Sequence, residues 1–307
     1  MINEMTTITS NHKNKPRLDF TPWGYIGPSL LILMLLSIGP MVFLYVISMT
    51  NYDLGTPLTS AKFVGFANYI RMFSGRDREF WASIRVTFTL GIAATLIELI
   101  IGFAIALFLN TLEKFKGVLV SILMLPMVIT PVIVGLVWKL MLNNDHGIIN
   151  WLIAQVGISP PAWLSPDLSL LSVLLVEVWQ WTPFVTLIIL SGLASLPIEP
   201  HEAAAMDGAT GWQALRYITI PIMRPIIMLA ILFRLIDVIK IFDIIFVLTG
   251  GGPGSATEAL SIHAYRLGFY QTGWIGRASA TGVILAVVAT IVSTFMINNL
   301  QKTRQEH

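Results

Sequence analysis

Apolar residues fall into six long runs, separated by segments that are richer in polar residues. Each run reaches the roughly 20 residues that a helix needs to cross the hydrocarbon core of a membrane. The runs cover residues 25–49, 86–109, 118–142, 170–193, 226–248 and 278–300. The pattern predicts an all-α integral membrane protein with six transmembrane helices, in which residues 1–307 form a single transmembrane domain.

Composition supports this class. The chain is 55% hydrophobic and 12% charged, with a mean hydropathy of +0.76, far from soluble-domain averages. The first apolar run is too long for the core of a signal peptide, which favours a retained span. A net charge of +2 without a basic cluster argues against nucleic acid as a partner. The absence of cysteine excludes disulfides, thiolate metal sites and cysteine nucleophiles, and we predict no metal site.

The charge distribution gives a topology. Six spans put both termini on one side, together with a short turn after the second span and the loop at 194–225. This side carries nine Lys and Arg residues and the opposite loops carry seven, which favours cytoplasmic termini. The external loops are then 50–85, 143–169 and 249–277.

Two of the external loops are long and contrast in composition. Residues 66–81, "FANYIRMFSGRDREFW", are amphipathic and predict a surface helix. Residues 143–169 contain Gly147 and three prolines and predict an irregular loop.

The third external loop opens with the glycine-rich run "TGGGPGSAT" at 249–257. It lacks the lysine of a phosphate-binding loop, so we predict that this chain is not an ATPase and that the run is a turn after a helix end.

The stretch "EAAAMDGATGWQALRYITIP", residues 202–221, contrasts with the apolar runs on either side. Its alanine-rich start favours a helix, and Gly208 suits the left-handed turn that ends one. Thr210 and Gln213 have the spacing of a capping box for a second helix, which Pro221 is expected to end. The loop predicts a helix–turn–helix.

The alanines at 203–205 would let another surface approach the backbone closely. Glu202 would offer a partner's arginine a bidentate contact. Spacing alone leaves open the alternative that this segment is an ordinary connector.

The same stretch resembles the signature of binding-protein-dependent ABC importer permeases: Glu-Ala-Ala, three residues, Gly, nine residues, Ile, one residue, Leu-Pro. The chain differs from it only by isoleucine for leucine at position 220. In that family the loop forms coupling helices that dock on a cytosolic ATPase. The resemblance implies that the ATPase-coupling residues are Glu202, Ala203, Ala204, Ala205, Asp207, Gly208, Ile218 and Pro221.

Four further segments resemble the carbohydrate class of these permeases, the maltose, trehalose and glycerol-phosphate type. They are "FVGFANYIRMF", "EVWQWTPF", "FRLIDVIKIFDIIFVLTGGGPG" and "YRLGFY". The resemblance implies the first of two permease subunits in a bacterial inner membrane. It also implies a second permease, an extracytoplasmic solute-binding protein that delivers sugar, and an ATPase dimer that binds the ATP and Mg. This chain itself would need no cofactor. Membrane lipid would surround its spans.

Ionisable side chains inside hydrocarbon cost roughly 2.5–3.5 kcal/mol each on insertion scales, so they normally face protein or water. Six lie well inside the predicted spans, away from their ends: Glu98, Glu177, Arg234, Asp237, Lys240 and Asp243. We interpret Glu98, Glu177, Lys240 and Asp243 as structural charges. Counting along the spans places Glu177 level with Lys240, which predicts an ion pair between them.

A substrate pathway is predicted between the fourth and fifth spans. Arg234, Asp237, Val238 and Ile241 share one helical face and form one candidate wall. Gln180, Trp181 and Phe184 form the second, because an aromatic face beside hydrogen-bonding groups suits a sugar ring.

Three alternatives remain at this point. An ion-coupled secondary transporter would explain the intramembrane charges equally well. An importer permease for a phosphate ester or sulfonate would use Arg234 and Lys240. A structural scaffold would need no intact 202–221 loop.

Overall fold

The computed structural model describes residues 21–270 and 273–305, and the regular secondary structure among them is helical. One isolated bridge pairs Thr50 with Phe63. The α-helices are α1 Thr21–Ser48, α2 Ala67–Phe73, α3 Arg78–Asn110, α4 Lys116–Val128, α5 Pro131–Met141, α6 Ile148–Gln155, α7 Ser169–Ala194, α8 Glu199–Met206, α9 Gly211–Ala214, α10 Ile220–Ile239, α11 Asp243–Leu248, α12 Leu260–Tyr265 and α13 Ile275–Gln305. Wider π-helical turns occupy Leu215–Thr219 and Arg266–Tyr270.

The chain divides into two compact units, residues 1–43 and 44–307. The described part of the first unit is the N-terminal portion of α1, with large apolar side chains exposed along its length. The second unit holds all the other helices. The grouping of both units in one transmembrane domain stays a prediction.

Helices α3, α7 and α10 pack together at the centre of the second unit. Helix α3 begins at Arg78, well before the predicted apolar run, because Asp77 caps it by accepting a hydrogen bond from the backbone N–H of Phe80 at 3.0 Å. Further along, α3 approaches α7 closely at Gly102, where an added Cβ would lie 3.0 Å from a Val185 methyl carbon. Glycine is therefore what allows this approach.

The third predicted span, 118–142, is not one helix. It breaks between α4 and α5 at Ile129 and Thr130, both of which are extended. Pro131 is the cause, since a proline pushes the preceding residue out of the α region.

The fifth predicted span, 226–248, is also interrupted, between α10 and α11. No proline marks this break. The carbonyl of Ile241, freed by the interruption, accepts a hydrogen bond from the Ser261 hydroxyl. The side chain of Ile241 is buried. Tertiary contacts therefore stabilise this break, and the prediction of one continuous helix was wrong.

The predicted external loops contain more structure than their sequence indicated. Residues 66–81 form α2, a turn and the first turn of α3 rather than one surface helix. The predicted irregular loop 143–169 contains α6, and its Trp163 indole N–H donates to the Asn150 side-chain oxygen at 2.7 Å. Residues 249–277 turn at Gly250 and Gly251, as predicted, and then enter α12, which packs against α3 and α13.

A cluster of charged residues fixes α12 in place. Glu258 is fully buried and contacts a ring nitrogen of His263 at 2.8 Å and the guanidinium of Arg266. Nearby, Asp77 before α3 pairs with Arg277 at the start of α13 at 3.1 Å and lies 3.9 Å from a ring nitrogen of His263 on α12. These contacts join the starts of α3 and α13 to α12.

Four helices in the described part of the chain are long and apolar enough to cross a membrane. They are Tyr25–Ser48 within α1, Arg78–Asn110, Ser169–Ala194 and Ile275–Gln301 within α13. The two interrupted regions, α4–α5 and α10–α11, correspond to the remaining predicted spans.

Candidate transport pathway and coupling loop

Arg234 on α10 lies at the centre of a buried cluster of charges. Its guanidinium donates to Glu98 on α3 through two nitrogens, at 2.5 and 2.9 Å, and to Glu177 on α7 at 2.7 Å. Arg234 is 1% exposed, and the two glutamates are 0% and 2% exposed. One arginine thus ties the three central helices together through charge-assisted hydrogen bonds.

Two further groups complete the surroundings of Arg234. Asp237, one turn later on α10, accepts a hydrogen bond from the guanidinium at 3.0 Å but keeps 52% of its side chain exposed. The guanidinium carbon lies 4.9 Å from the centre of a Trp181 ring, a cation–π contact. Four of the five N–H groups of the guanidinium therefore already bond to carboxylates of the chain.

A polar cavity of about 200 Å³ opens beside this cluster. Both helix interruptions border it, since its wall includes the first residue of α5 and the residues between α10 and α11. Its lining is Pro131, Glu177, Trp181, Asp237, Lys240, Ile241, Phe242, Asp243 and Ile244. The charges of Asp237, Lys240 and Asp243 are exposed, so this is where polar groups can reach a solute.

Side chains near the cavity hold the interrupted helices in place. The Gln180 amide donates to the carbonyl of Ile129 at 3.0 Å, which satisfies a backbone group that the break leaves free. Lys139 on α5 donates to the carbonyl of Val247 on α11 at 3.0 Å. Gly135 makes room for this pair of helices, because a Cβ there would lie 3.1 Å from that of Val247.

The predicted substrate residues separate into two groups. Trp181, Asp237 and Ile241 line the cavity. Gln180, Arg234 and Val238 are buried among the helices, and Phe184 packs against the rings of Trp181 and Phe233. Their role as substrate ligands stays a prediction.

The structure also places the four predicted structural charges. Glu98 and Glu177 are buried as partners of Arg234, while Lys240 and Asp243 are exposed at the cavity. The predicted Glu177–Lys240 pair is wrong, because Glu177 bonds to Arg234. Helix α10 ends at Ile239, so Lys240 lies on the turn that follows rather than on the predicted continuous helix.

The 202–221 stretch folds largely as its sequence indicates. Helix α8 ends at Met206, and Gly208 follows with a φ of +78°. Thr210 and Gln213 form the predicted capping box at the start of α9. Most of this surface is open, with exposed Glu202, Ala203, Ala205, Asp207, Met206, Trp212 and Tyr217, while Ala204 and Ile218 are half-buried.

Pro221 does not end the second helix, as was predicted, but lies at the start of α10. A proline inside an α-helix collides with the carbonyl four residues earlier. Here the preceding π-turn pairs the N–H of Ile220 with the carbonyl of Leu215, five residues earlier. The wider turn leaves room for the proline ring, so the backbone stays helical from α9 through the π-turn into α10.

Sequence reasoning missed several of these residues. It placed Gln180 in the substrate wall, although its amide supports a helix break. Pro131 could have indicated that break, whereas the pairing of Arg234 across three helices needs the packing of distant segments. It also gave no role to His201, which contacts Thr219 at 3.0 Å across the loop at 194–225, the predicted coupling loop.

Comparison with known proteins agrees with these features. Residues 98–305 match the family described as "Binding-protein-dependent transport system inner membrane component". A probable ABC transporter permease protein y4oQ of Sinorhizobium fredii is 40% identical over 94% of this chain and 93% of that protein. The trehalose/maltose transport system permease protein MalF of Thermococcus litoralis is 37% identical over 92% and 94%.

A solved structure shares the fold. One chain of a bacterial ABC transporter involved in the import of the acidic polysaccharide alginate superposes with a TM-score of 0.79. It is 23% identical, over 92% of this chain and 96% of that chain. The family match and the similar permeases show the family of this chain. It belongs to the binding-protein-dependent transport system inner membrane components, the permease subunits of ABC transporters.

Proposed function

We propose that this chain is the transmembrane permease subunit of an ATP-driven, binding-protein-dependent importer of a sugar or sugar derivative. The observation that carries the proposal is the exposed helix α8, with its Glu-Ala-Ala sequence and following glycine, on the loop between the apolar helices α7 and α10. The similarity to a trehalose/maltose permease over nearly the whole chain supports the sugar class. Because the sequence has no phosphate-binding loop, ATP hydrolysis is assigned to a partner.

In this proposal the chain crosses the membrane six times with both termini in the cytoplasm. Helices α4 and α5 together have 24 residues, and α10 and α11 have 26. At 1.5 Å per residue they rise about 36 and 39 Å, enough for a hydrocarbon core of about 30 Å. Non-helical backbone is tolerated at such depth where it lines a cavity, and both breaks border one.

The coupling loop offers a docking surface for a cytosolic ATPase dimer. Met206, Trp212 and Tyr217 are 88%, 66% and 69% exposed. Apolar side chains that protrude from a loop suit a protein partner. A groove of about 300 Å³ runs beside Gly208 and Tyr217. Glu202 is exposed on α8, where a partner arginine could reach it.

The cavity beside Arg234 suits a neutral sugar better than an anion. Trp181 offers a ring face, Asp237 and Asp243 accept hydrogen bonds from hydroxyl groups, and Lys240 donates one. The guanidinium of Arg234 is already bound by three carboxylates. Of the exposed charges here two are negative and one is positive, which disfavours a phosphate ester or a sulfonate.

Ion-coupled transport has weaker support. Such a mechanism needs carboxylates that are free to bind and release the coupling ion. Glu98 and Glu177, the two deepest acids of the cluster, both bond to Arg234. The exposed coupling loop would also have no role in it.

Reconstitution tests the proposed function. The chain would be purified with its second permease and ATPase dimer and placed in liposomes, with ATP on the coupling-loop side and solute-binding protein on the other. We expect ATP-dependent accumulation of trehalose or maltose. Uptake that needs a proton gradient and ignores ATP would support a secondary transporter. ATP-dependent uptake restricted to the phosphate ester or sulfonate of the sugar would support the anion alternative.

Replacing Asp237 with asparagine tests the cavity. The change preserves shape but weakens a charged hydrogen-bond acceptor. Because such bonds contribute about 1.5–3 kcal/mol, sugar uptake should fall roughly 10- to 100-fold. Uptake and ATPase activity would be measured in the same proteoliposomes. Asp145→Asn, at an exposed position between α5 and α6, is the matched control. Equal uptake by both variants would remove Asp237 from the substrate site.

A further inference from the structure

A side-chain hydrogen bond crosses the coupling loop. His201 lies in the first half of α8, and its Nε2 is 3.0 Å from the hydroxyl of Thr219, the last residue of the π-turn before α10. Thr219 is 7% exposed. The contact spans 18 residues of chain, so it joins two separate segments of the loop.

The second ring nitrogen of His201 faces the other end of the loop. Nδ1 lies 3.3 Å from the carbonyl of Pro197, between α7 and α8. A carbonyl can only accept, so the contact with Pro197 puts the proton of the neutral ring on Nδ1. Nε2 can then accept from the Thr219 hydroxyl, whose other acceptor is the carbonyl of Ala214 at 3.4 Å. In this tautomer the imidazole bridges the chain before α8 to the chain before α10.

The rest of the loop explains why such a bridge matters. Helix α8 is a short, largely exposed segment, connected through residues 195–198 to α7 and through the turn at Gly208 to α9. Two short connections would let α8 pivot without moving the spans. The contact between His201 and Thr219 fixes the position of α8 directly against the start of α10.

Helix α10 carries two residues of the candidate pathway that a movement of α8 would have to affect. Arg234 and Asp237 lie 15 and 18 residues after Thr219 on this helix, which corresponds to roughly 22 and 27 Å at 1.5 Å per residue. Arg234 in turn bonds to α3 and α7. A push on α8 that reached Thr219 would therefore act on the three helices around the cavity.

We propose that His201 is a positioning residue that transmits movement of the coupling helix α8 to α10 through its hydrogen bond with Thr219. The proposal rests on the proposed function, because it assumes that an ATPase moves α8. Phenylalanine at 201 would keep a ring and lose both hydrogen bonds, and valine at 219 would keep the shape and lose the hydroxyl.

The experiment measures sugar transported per ATP hydrolysed by the complete reconstituted importer. His201→Phe and Thr219→Val should each lower this ratio at least about fivefold, the lower range of coupling between linked sites. ATPase co-purification should stay unchanged. Because both changes remove the shared bond between His201 and Thr219, the loss in the double variant should be clearly smaller than the two single losses combined. His146→Phe, at an exposed position before α6, is the matched control.

A reversible chemical cross-link distinguishes loss of the connection between α8 and α10 from a general loss of structure in the loop. The chain has no cysteine, so His201→Cys with Thr219→Cys provides a unique pair for a short bis-methanethiosulfonate reagent. The linker should restore the transport ratio, and reductant should abolish it again. A merely destabilised loop would not regain coupling in this way.

The outcomes are decisive in both directions. A wild-type ratio in either single variant would overturn the proposal, as would additive losses in the double variant or a linked pair that stays uncoupled. If His201→Phe does not assemble, Thr219→Val and the linked pair decide. Failure of the proposed function would look different, because the wild-type chain would then show no ATP-driven uptake.

Discussion

Replacing Arg234 with methionine is expected to destabilise the protein by about 3–5 kcal/mol, the cost of removing one partner of a buried ion pair. Glu98 and Glu177 are 0% and 2% exposed and bond to this guanidinium. Without it, two carboxylates would face each other in the interior with no cation. Thermal denaturation of the purified chain in detergent, with its yield in membranes, measures the loss.

The same cluster supplies the controls. Adding Glu98→Gln and Glu177→Gln to the methionine variant removes the uncompensated charge, so much of the lost stability should return. Asp237→Asn should change the denaturation temperature little, because half of this side chain is exposed. If the methionine variant alone denatures at the wild-type temperature, Arg234 does not hold the three helices together.

Placing tryptophan at Ala205 is expected to separate the permease from the proposed ATPase partner while leaving the fold of the permease intact. Ala205 is exposed on α8, so the larger side chain costs the isolated chain little. In a docked complex it would occupy space that a partner fills. ATPase co-purification and sugar uptake should fall at least about 30-fold, equivalent to losing about 2 kcal/mol at an interface centre.

Ala154→Trp is the matched control for this experiment. Ala154 is also an exposed alanine on a short helix, α6, far along the chain from the coupling loop. This variant should retain the ATPase. Wild-type ATPase binding by the Ala205 variant would mean that α8 is not the docking surface.

The local features of the coupling loop could be read from sequence because each depends on neighbours in the chain. Gly208 adopts the left-handed conformation that its position suggested, and Thr210 and Gln213 form the capping box that their spacing predicts. The four continuous apolar helices were likewise evident from hydropathy alone. Propensity and periodicity act over a few residues, so they are visible in one sequence.

The charge cluster and the break after α10 depend on distant segments instead. Glu98, Glu177 and Arg234 come from three helices, and counting along predicted spans paired Glu177 with the wrong cation. The break before Asp243 has no proline, and its freed carbonyl is satisfied by Ser261. Depth along an ideal helix is misleading once that helix is interrupted.

The π-turn at Leu215–Thr219 also sets the direction in which α8 and α9 leave helix α10. A π-turn holds one residue more than the same stretch of α-helix, and each residue advances the helix by about 100°. Homologous chains that differ by one residue in this short segment would present α8 on a different side of α10. The number of residues in this segment is therefore as constrained as their identity. A gap at 215–219 in an alignment of homologues would indicate that α8 lies on a different side of α10.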